Sequence, residues 1–97
     1  MMISNLLNEI TRTHYDEELK VKLLDYMNQR SYVEWASTYK IIDRVTGEKV
    51  FSVCHVGYND GEFQWTSSEA YHLKKYNLKL SDEFIAHVLK TPAHAAT

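Results

Sequence analysis

The hydrophobic spacing of this chain changes after Ser31 from a helical period to an alternating one. Before Ser31, apolar side chains recur along one helical stripe that contains Tyr15, Leu19, Leu23, Tyr26 and Met27. After it, the stretch "YVEWASTYKIID" alternates, which is typical of a strand. A chain of 97 residues holds one core, so we predict a single α+β domain over residues 1–92 and a disordered tail over residues 93–97.

Four helices are predicted, two before the strands and two after them. The first covers residues 3–10 and the second residues 13–30, with Thr13 as the cap of the second helix. Thr66 and Glu69 form a capping-box pattern, which predicts a third helix from residue 67 to residue 76 that ends at Asn77. Ser81 is the predicted cap of the last helix.

Three strands and two turns occupy the middle third of the chain. The first strand is followed by a turn around Thr46 and Gly47, then by the strand "KVFSVCHV". Asp60 and Gly61 predict a second tight turn, because both residues tolerate positive φ, and the short strand "EFQWT" follows it. Consecutive strands joined by tight turns predict a three-stranded antiparallel meander between the two helical pairs.

Charge, cysteine content and hydropathy limit the partners and the cellular compartment that we expect for the protein. The formal net charge is −2 and no segment forms a basic tail, so strong binding to nucleic-acid phosphates is not expected. A single cysteine cannot form an intramolecular disulfide, which favours a reducing cytoplasm. The N-terminus lacks a signal-peptide pattern, and no apolar run has the length of about 20 residues that spans a bilayer. We therefore expect a soluble, cytoplasmic protein without a membrane partner.

Cys54 and His55 raise the question of a reactive thiol, with His72 as a third candidate. Neighbouring residues of a strand point to opposite faces of the sheet, whereas a thiolate–imidazole pair needs contact on one face. The histidines have no close ligand spacing for a metal ion, and the three glycines are assigned to or near turns and not to a phosphate-binding loop. We predict no enzyme activity, no cofactor and no metal site, although His55 or His72 acting as a base stays open.

Large aromatic residues on the strands are the main candidates for function. If the helices cover only one side of the sheet, some of these aromatic side chains would stay exposed and form a protein-binding surface. The candidate residues are Trp35, Tyr39, Tyr58, Phe63 and Trp65. The alternative is that Trp35, Phe63 and Trp65 are core residues. Our first hypothesis is a non-enzymatic interaction module that binds a protein partner, or a second copy of itself as a homodimer, through the sheet face or an edge strand. The analogy is with small bacterial, phage or mobile-element accessory and inhibitor proteins.

The second hypothesis is a nucleic-acid-binding module. The predicted order of a helix, three strands and a helix is similar to that of double-stranded-RNA-binding domains and of the three-stranded DNA-binding arms of recombinases. The helix after the third strand opens with "SSEAYHLKKY", however, and not with the lysine cluster expected of those RNA-binding domains. Under this hypothesis, the phosphate contacts would be Lys74, Lys75 and Lys79.

Overall fold

The computed structural model of the chain describes residues 13–90 and has the predicted α+β class. Three α-helices occur in this part of the chain: α1 (Glu17–Met27), α2 (Ser67–Tyr76) and α3 (Asp82–Lys90). A 3₁₀ turn (Arg30–Tyr32) precedes the strands β1 (Val33–Ile42), β2 (Lys49–Asn59) and β3 (Gln64–Thr66). The described helices thus number three where four were predicted, and the helix predicted over residues 3–10 and the predicted tail lie outside the described residues.

The strands form one antiparallel sheet in the order β1-β2-β3, as the meander prediction requires. β1 is therefore an edge strand with β2 as its neighbour in the described sheet. The β1–β2 ladder is irregular, because register shifts separate Ala36 from Lys40 and Lys40 from Ile41. These shifts are β-bulges or related irregularities, and they interrupt the strict alternation that the sequence predicted for β1.

The helix ends show which capping signals operate. α1 begins at Glu17, four residues after the predicted cap Thr13, whose backbone N–H instead donates to the Asn77 carbonyl at 3.0 Å. α2 has the predicted capping box, and the Glu69 carboxylate accepts from the Thr66 backbone N–H at 3.0 Å. Asn77 ends α2 in the left-handed conformation with φ 57°. Ser81 caps α3, since its Oγ accepts from the Phe84 N–H at 3.2 Å.

Both hairpin turns form where they were predicted, and the second has positive φ at one of its two residues. Gly47 and Gly61 have positive φ angles of 78° and 103°. Asp60 does not, because Asn77 is the one non-glycine residue between residues 13 and 90 with positive φ. The Asp60 carboxylate instead accepts hydrogen bonds from the Glu62 and Phe63 backbone N–H groups, at 2.9 and 2.8 Å, which closes the turn through its side chain.

One hydrophobic core joins the three helices to β3. Phe84 is fully buried, and its ring lies 5.3 Å from the rings of both Trp65 and Phe63, measured between centroids. The Trp65 indole N–H donates to the Met27 carbonyl at 2.9 Å, which satisfies its polar atom inside the core. None of the helices in residues 13–90 combines the length and the apolarity needed to cross a membrane.

Candidate functional site

Exposed apolar side chains are concentrated on the β1–β2 hairpin. Of the eight large apolar side chains exposed in residues 13–90, two lie elsewhere, Val21 on α1 and Leu89 on α3. The other six define what we call the hairpin surface: Val33, Trp35, Tyr39, Ile42, Val45 and Phe51. Single exposed apolar residues are ordinary on protein surfaces, whereas a group of them on one element is typical of an interaction site.

Tyr39 and Phe51 are the most exposed members of the hairpin surface, at 80% and 76%. Each lies in an unpaired stretch of the ladder. Residues 37–39 fall between the pairs Ala36↔Val56 and Lys40↔Cys54, and residues 51–53 fall between Lys40↔Cys54 and Ile41↔Val50. The Tyr39 backbone N–H donates to Ser37 Oγ at 3.0 Å, and not to a neighbouring strand. The bulges therefore project these two rings into solvent.

Trp35 lies over the backbone of its partner across the ladder, Gly57. A Cβ atom at Gly57 would collide with Trp35 Cε2, so the indole occupies the space that any other residue would need. The His55 ring packs edge-on against Trp35, with centroids 4.9 Å apart. The indole remains 41% exposed, because one of its sides is covered and the rest faces outward.

A small depression beside Trp35 carries negative charge. It has a volume of about 210 Å³, and its charged lining residues are Glu34 and Glu69, with no basic residue among them. Glu34 accepts from the Asn59 side-chain amide at 2.9 Å, and Glu69 belongs to the capping box of α2. Two carboxylates next to an exposed indole favour a cationic group as a neighbour.

The five aromatic residues predicted to bind a protein are divided by the fold. Trp35 and Tyr39 belong to the hairpin surface. Phe63 and Trp65 are buried, with 5% and 2% exposure, so the core alternative describes these two residues. Tyr58 is half-buried and stacks on Trp65 with an interplanar angle of 5°. Four members of the hairpin surface were not predicted as site residues, because alternation alone does not show which face the helices leave open. These four are Val33, Ile42, Val45 and Phe51.

Cys54, His55 and His72 each have a different neighbour. Cys54 Sγ accepts from Lys40 Nζ at 3.2 Å, while His55 packs on Trp35. His72 is fully buried: its Nδ1 lies 2.6 Å from the Ser68 carbonyl, and its Nε2 accepts from the Arg44 backbone N–H at 2.9 Å. Both ring nitrogens of His72 are therefore engaged, Nδ1 within α2 and Nε2 with the β1–β2 turn, which is a structural role.

A buried carboxylate that sequence reasoning did not single out links the β1–β2 turn to α2. Asp43 Oδ2 accepts from the hydroxyls of Tyr71 and Tyr76 at 2.7 and 2.6 Å, and Oδ1 accepts from the Val45 and Thr46 N–H groups. Burial favours the neutral acid, but these four hydrogen bonds outweigh it and hold the pKa of Asp43 well below its usual range. Both carboxylate oxygens of Asp43 already accept hydrogen bonds from the protein, so this side chain has a structural role.

A second cluster joins α1, the β2–β3 turn and α3. Tyr26 donates to Asp60 Oδ2 at 2.6 Å, and His87 Nε2 lies 2.8 Å from the same oxygen. Burial would raise the pKa of Asp60, but hydrogen bonds from Tyr26 and from the Phe63 and Glu62 backbone lower it. Burial and the bond to Asp60 raise the pKa of Tyr26 well above its usual range. Sequence spacing carries no signal for this cluster, because its members are distant in the chain.

The lysines of the nucleic-acid alternative are only partly free. Lys79 Nζ is bound to Asp82 at 2.7 Å, and Lys75 Nζ donates to Tyr71 at 3.3 Å and lies 3.6 Å from Asp43. Lys74 is exposed and has no partner among the described residues. This arrangement does not favour a concentrated phosphate-binding face on α2.

The described part of the chain contains no group of three or more histidine, cysteine, aspartate or glutamate residues that could hold a metal ion. Comparison with known protein families, with curated proteins and with solved structures found no match.

Proposed function

We propose that this chain is a non-enzymatic interaction module that binds a protein partner through the hairpin surface. One observation carries the proposal: six of the eight exposed large apolar side chains in residues 13–90 lie on the β1–β2 hairpin. Tyr39 and Phe51 are the most exposed of the six. Aromatic side chains of this kind dominate the energetics of protein interfaces.

The bulges in the hairpin support contact through side chains and not through strand addition. An edge strand recruits another strand by offering a regular row of free N–H and C=O groups. In β1 the register shifts around residues 37–39, and the Tyr39 N–H is already bound to Ser37 Oγ. The same bulges present the two exposed rings to a partner, so the irregular ladder favours a side-chain interface.

The charge beside Trp35 supports a partner that contributes a basic residue. A lysine or arginine from the partner would stack on the exposed indole and lie near Glu34 and Glu69. A second copy of the chain would fit only if one of its own basic residues reached this depression. Rim charges of this kind act on association rate and specificity more than on affinity.

The experiment compares partner binding by the wild type, by a Tyr39→Ser/Phe51→Ser double variant and by a Val21→Ser control. All three changed residues are exposed, so each variant should retain its stability to within about 0.5 kcal/mol. Affinity capture with cross-linking and quantitative mass spectrometry identifies the partner, and sedimentation velocity tests self-association.

We expect the double variant to capture at least tenfold less of the partner, or to form at least tenfold less dimer, than the wild type, because two exposed aromatic anchors are removed. The Val21→Ser control should bind as the wild type does. A Glu34→Gln variant should bind more slowly, with a smaller effect of salt on the association rate. Equal capture by the wild type and the double variant would refute the hairpin surface as the binding site.

A further inference from the structure

A second surface feature, separate from the hairpin surface, is a groove of about 570 Å³ beside α2. This volume lies within the range of small-molecule sites, about 300–1,000 Å³. The groove lies between α1, β2 and α2, and its apolar lining includes Leu24, Val53 and Ala70.

The groove follows one face of α2. Ser67, Tyr71 and Lys74 recur at helical spacing, so this wall extends about 10 Å along the helix at 1.5 Å per residue. The C-terminal end of α1 forms a second wall through Leu24 and Asn28. Ser52 and Val53 come from the bulge of β2, where no β1 residue lies opposite them. The bulge that exposes Phe51 thus also forms one side of the groove.

Most of the polar groups in the groove are already engaged by the fold. Ser67 Oγ donates to the Cys54 carbonyl at 2.7 Å and accepts from the Val56 N–H at 3.0 Å. The Tyr71 hydroxyl donates to Asp43 at 2.7 Å. The remaining lining is largely apolar, so the body of a ligand would be held by contact with carbon atoms.

The charge in the groove has one sign and is concentrated at one end. Lys74 and Lys75 are its charged residues, and no acidic side chain lines it. Lys75 is held near Tyr71 and Asp43, whereas Lys74 is exposed and has no partner among residues 13–90. An anion at this end would complement Lys74 without displacing an existing ion pair.

We propose that the groove binds a small amphipathic anion, with an apolar body of about 10 Å and one carboxylate-like head. The body lies against Leu24, Val53 and Ala70, and the head pairs with Lys74. None of the residues that line this site belongs to the hairpin surface, so either proposal can fail alone.

Isothermal titration calorimetry and amide NMR with sodium octanoate, 1-octanol and octylammonium test the proposal. We expect octanoate to bind more tightly than octylammonium and to shift the amide signals of Val53 and Ala70. Lys74→Met should weaken octanoate binding about three- to fivefold, as an exposed ion pair allows, and leave 1-octanol binding unchanged. Lys90→Met on α3 is the matched control and should change the binding of neither octanoate nor 1-octanol.

Ser52→Trp places a ring in the groove from an exposed position and should abolish binding of both octanoate and 1-octanol. Asn28→Trp, also from an exposed position, is the second blocking variant and should do the same if Ser52→Trp fails to fold. Absence of octanoate binding to the wild type, or binding that both blocking variants retain, would overturn the site. Equal affinity for octanoate and octylammonium would overturn its preference for anions.

Discussion

At the scale of single residues, the clearest dependence is that of Trp35 on Gly57. The indole fills the space above the glycine Cα, where a Cβ atom would collide with Trp35 Cε2. Gly57 is therefore required for close approach and not for an unusual backbone angle. The orientation of one hairpin-surface residue thus depends on the absence of a side chain on the neighbouring strand.

Gly57→Ala should destabilise the protein by about 1–2 kcal/mol, because the indole must leave its position over β2. In a Trp35→Ala background the same change should cost less, since the obstructing ring is gone. Urea unfolding of the four proteins in this double-mutant cycle measures the coupling. An equal cost of Gly57→Ala in both backgrounds would show that the contact with Trp35 is not the cause.

At the scale of elements, buried polar groups attach the hairpin to α2. Asp43 stands at the end of β1 and accepts hydrogen bonds from Tyr71 and Tyr76 of α2. His72 of the same helix accepts from the backbone of Arg44. The β1–β2 turn is therefore held by directed hydrogen bonds, in addition to apolar contacts.

The lowered pKa of Asp43 has a definite consequence for acid stability. The unfolded group binds its proton near pH 3.9, while the folded group stays ionised to lower pH. Its contribution to stability is therefore full above about pH 4 and decreases as the pH falls toward the folded-state pKa. Asp43→Asn should reduce stability at pH 7, and its difference from the wild type should shrink below about pH 4. Urea unfolding from pH 7 to pH 2.5 measures this; a difference that stays constant with pH would contradict it.

At the scale of the whole molecule, aromatic rings serve two separate purposes. Phe63 and Trp65 both pack against Phe84 in the core, while Tyr39 and Phe51 remain in solvent. Replacing an aromatic residue by alanine should therefore change the free energy of unfolding by very different amounts at the two kinds of position.

Phe84→Ala should cost about 3–5 kcal/mol, because it leaves a cavity where three other aromatic rings meet. Phe51→Ala, at 76% exposure, should change stability by less than about 0.5 kcal/mol. Equilibrium urea unfolding of both variants gives the comparison. A large loss of stability for Phe51→Ala would show that the hairpin surface is part of the folding core and not a free surface.

Local signals in the sequence determined much of this structure. The capping box of Thr66 and Glu69, the left-handed stop at Asn77 and the order of the three strands follow from contacts within a few residues. Such signals are readable because the interacting groups are near one another in the chain.

Only the tertiary structure decided which side chains are available to a partner. Alternation predicts which residues of a regular strand share a face, but it does not show which face the helices cover or where a bulge reverses it. Trp65 became core and Phe51 became surface for that reason. The Asp43 and Asp60 clusters likewise join residues that are 27 or more positions apart, and only packing of the elements brings them together.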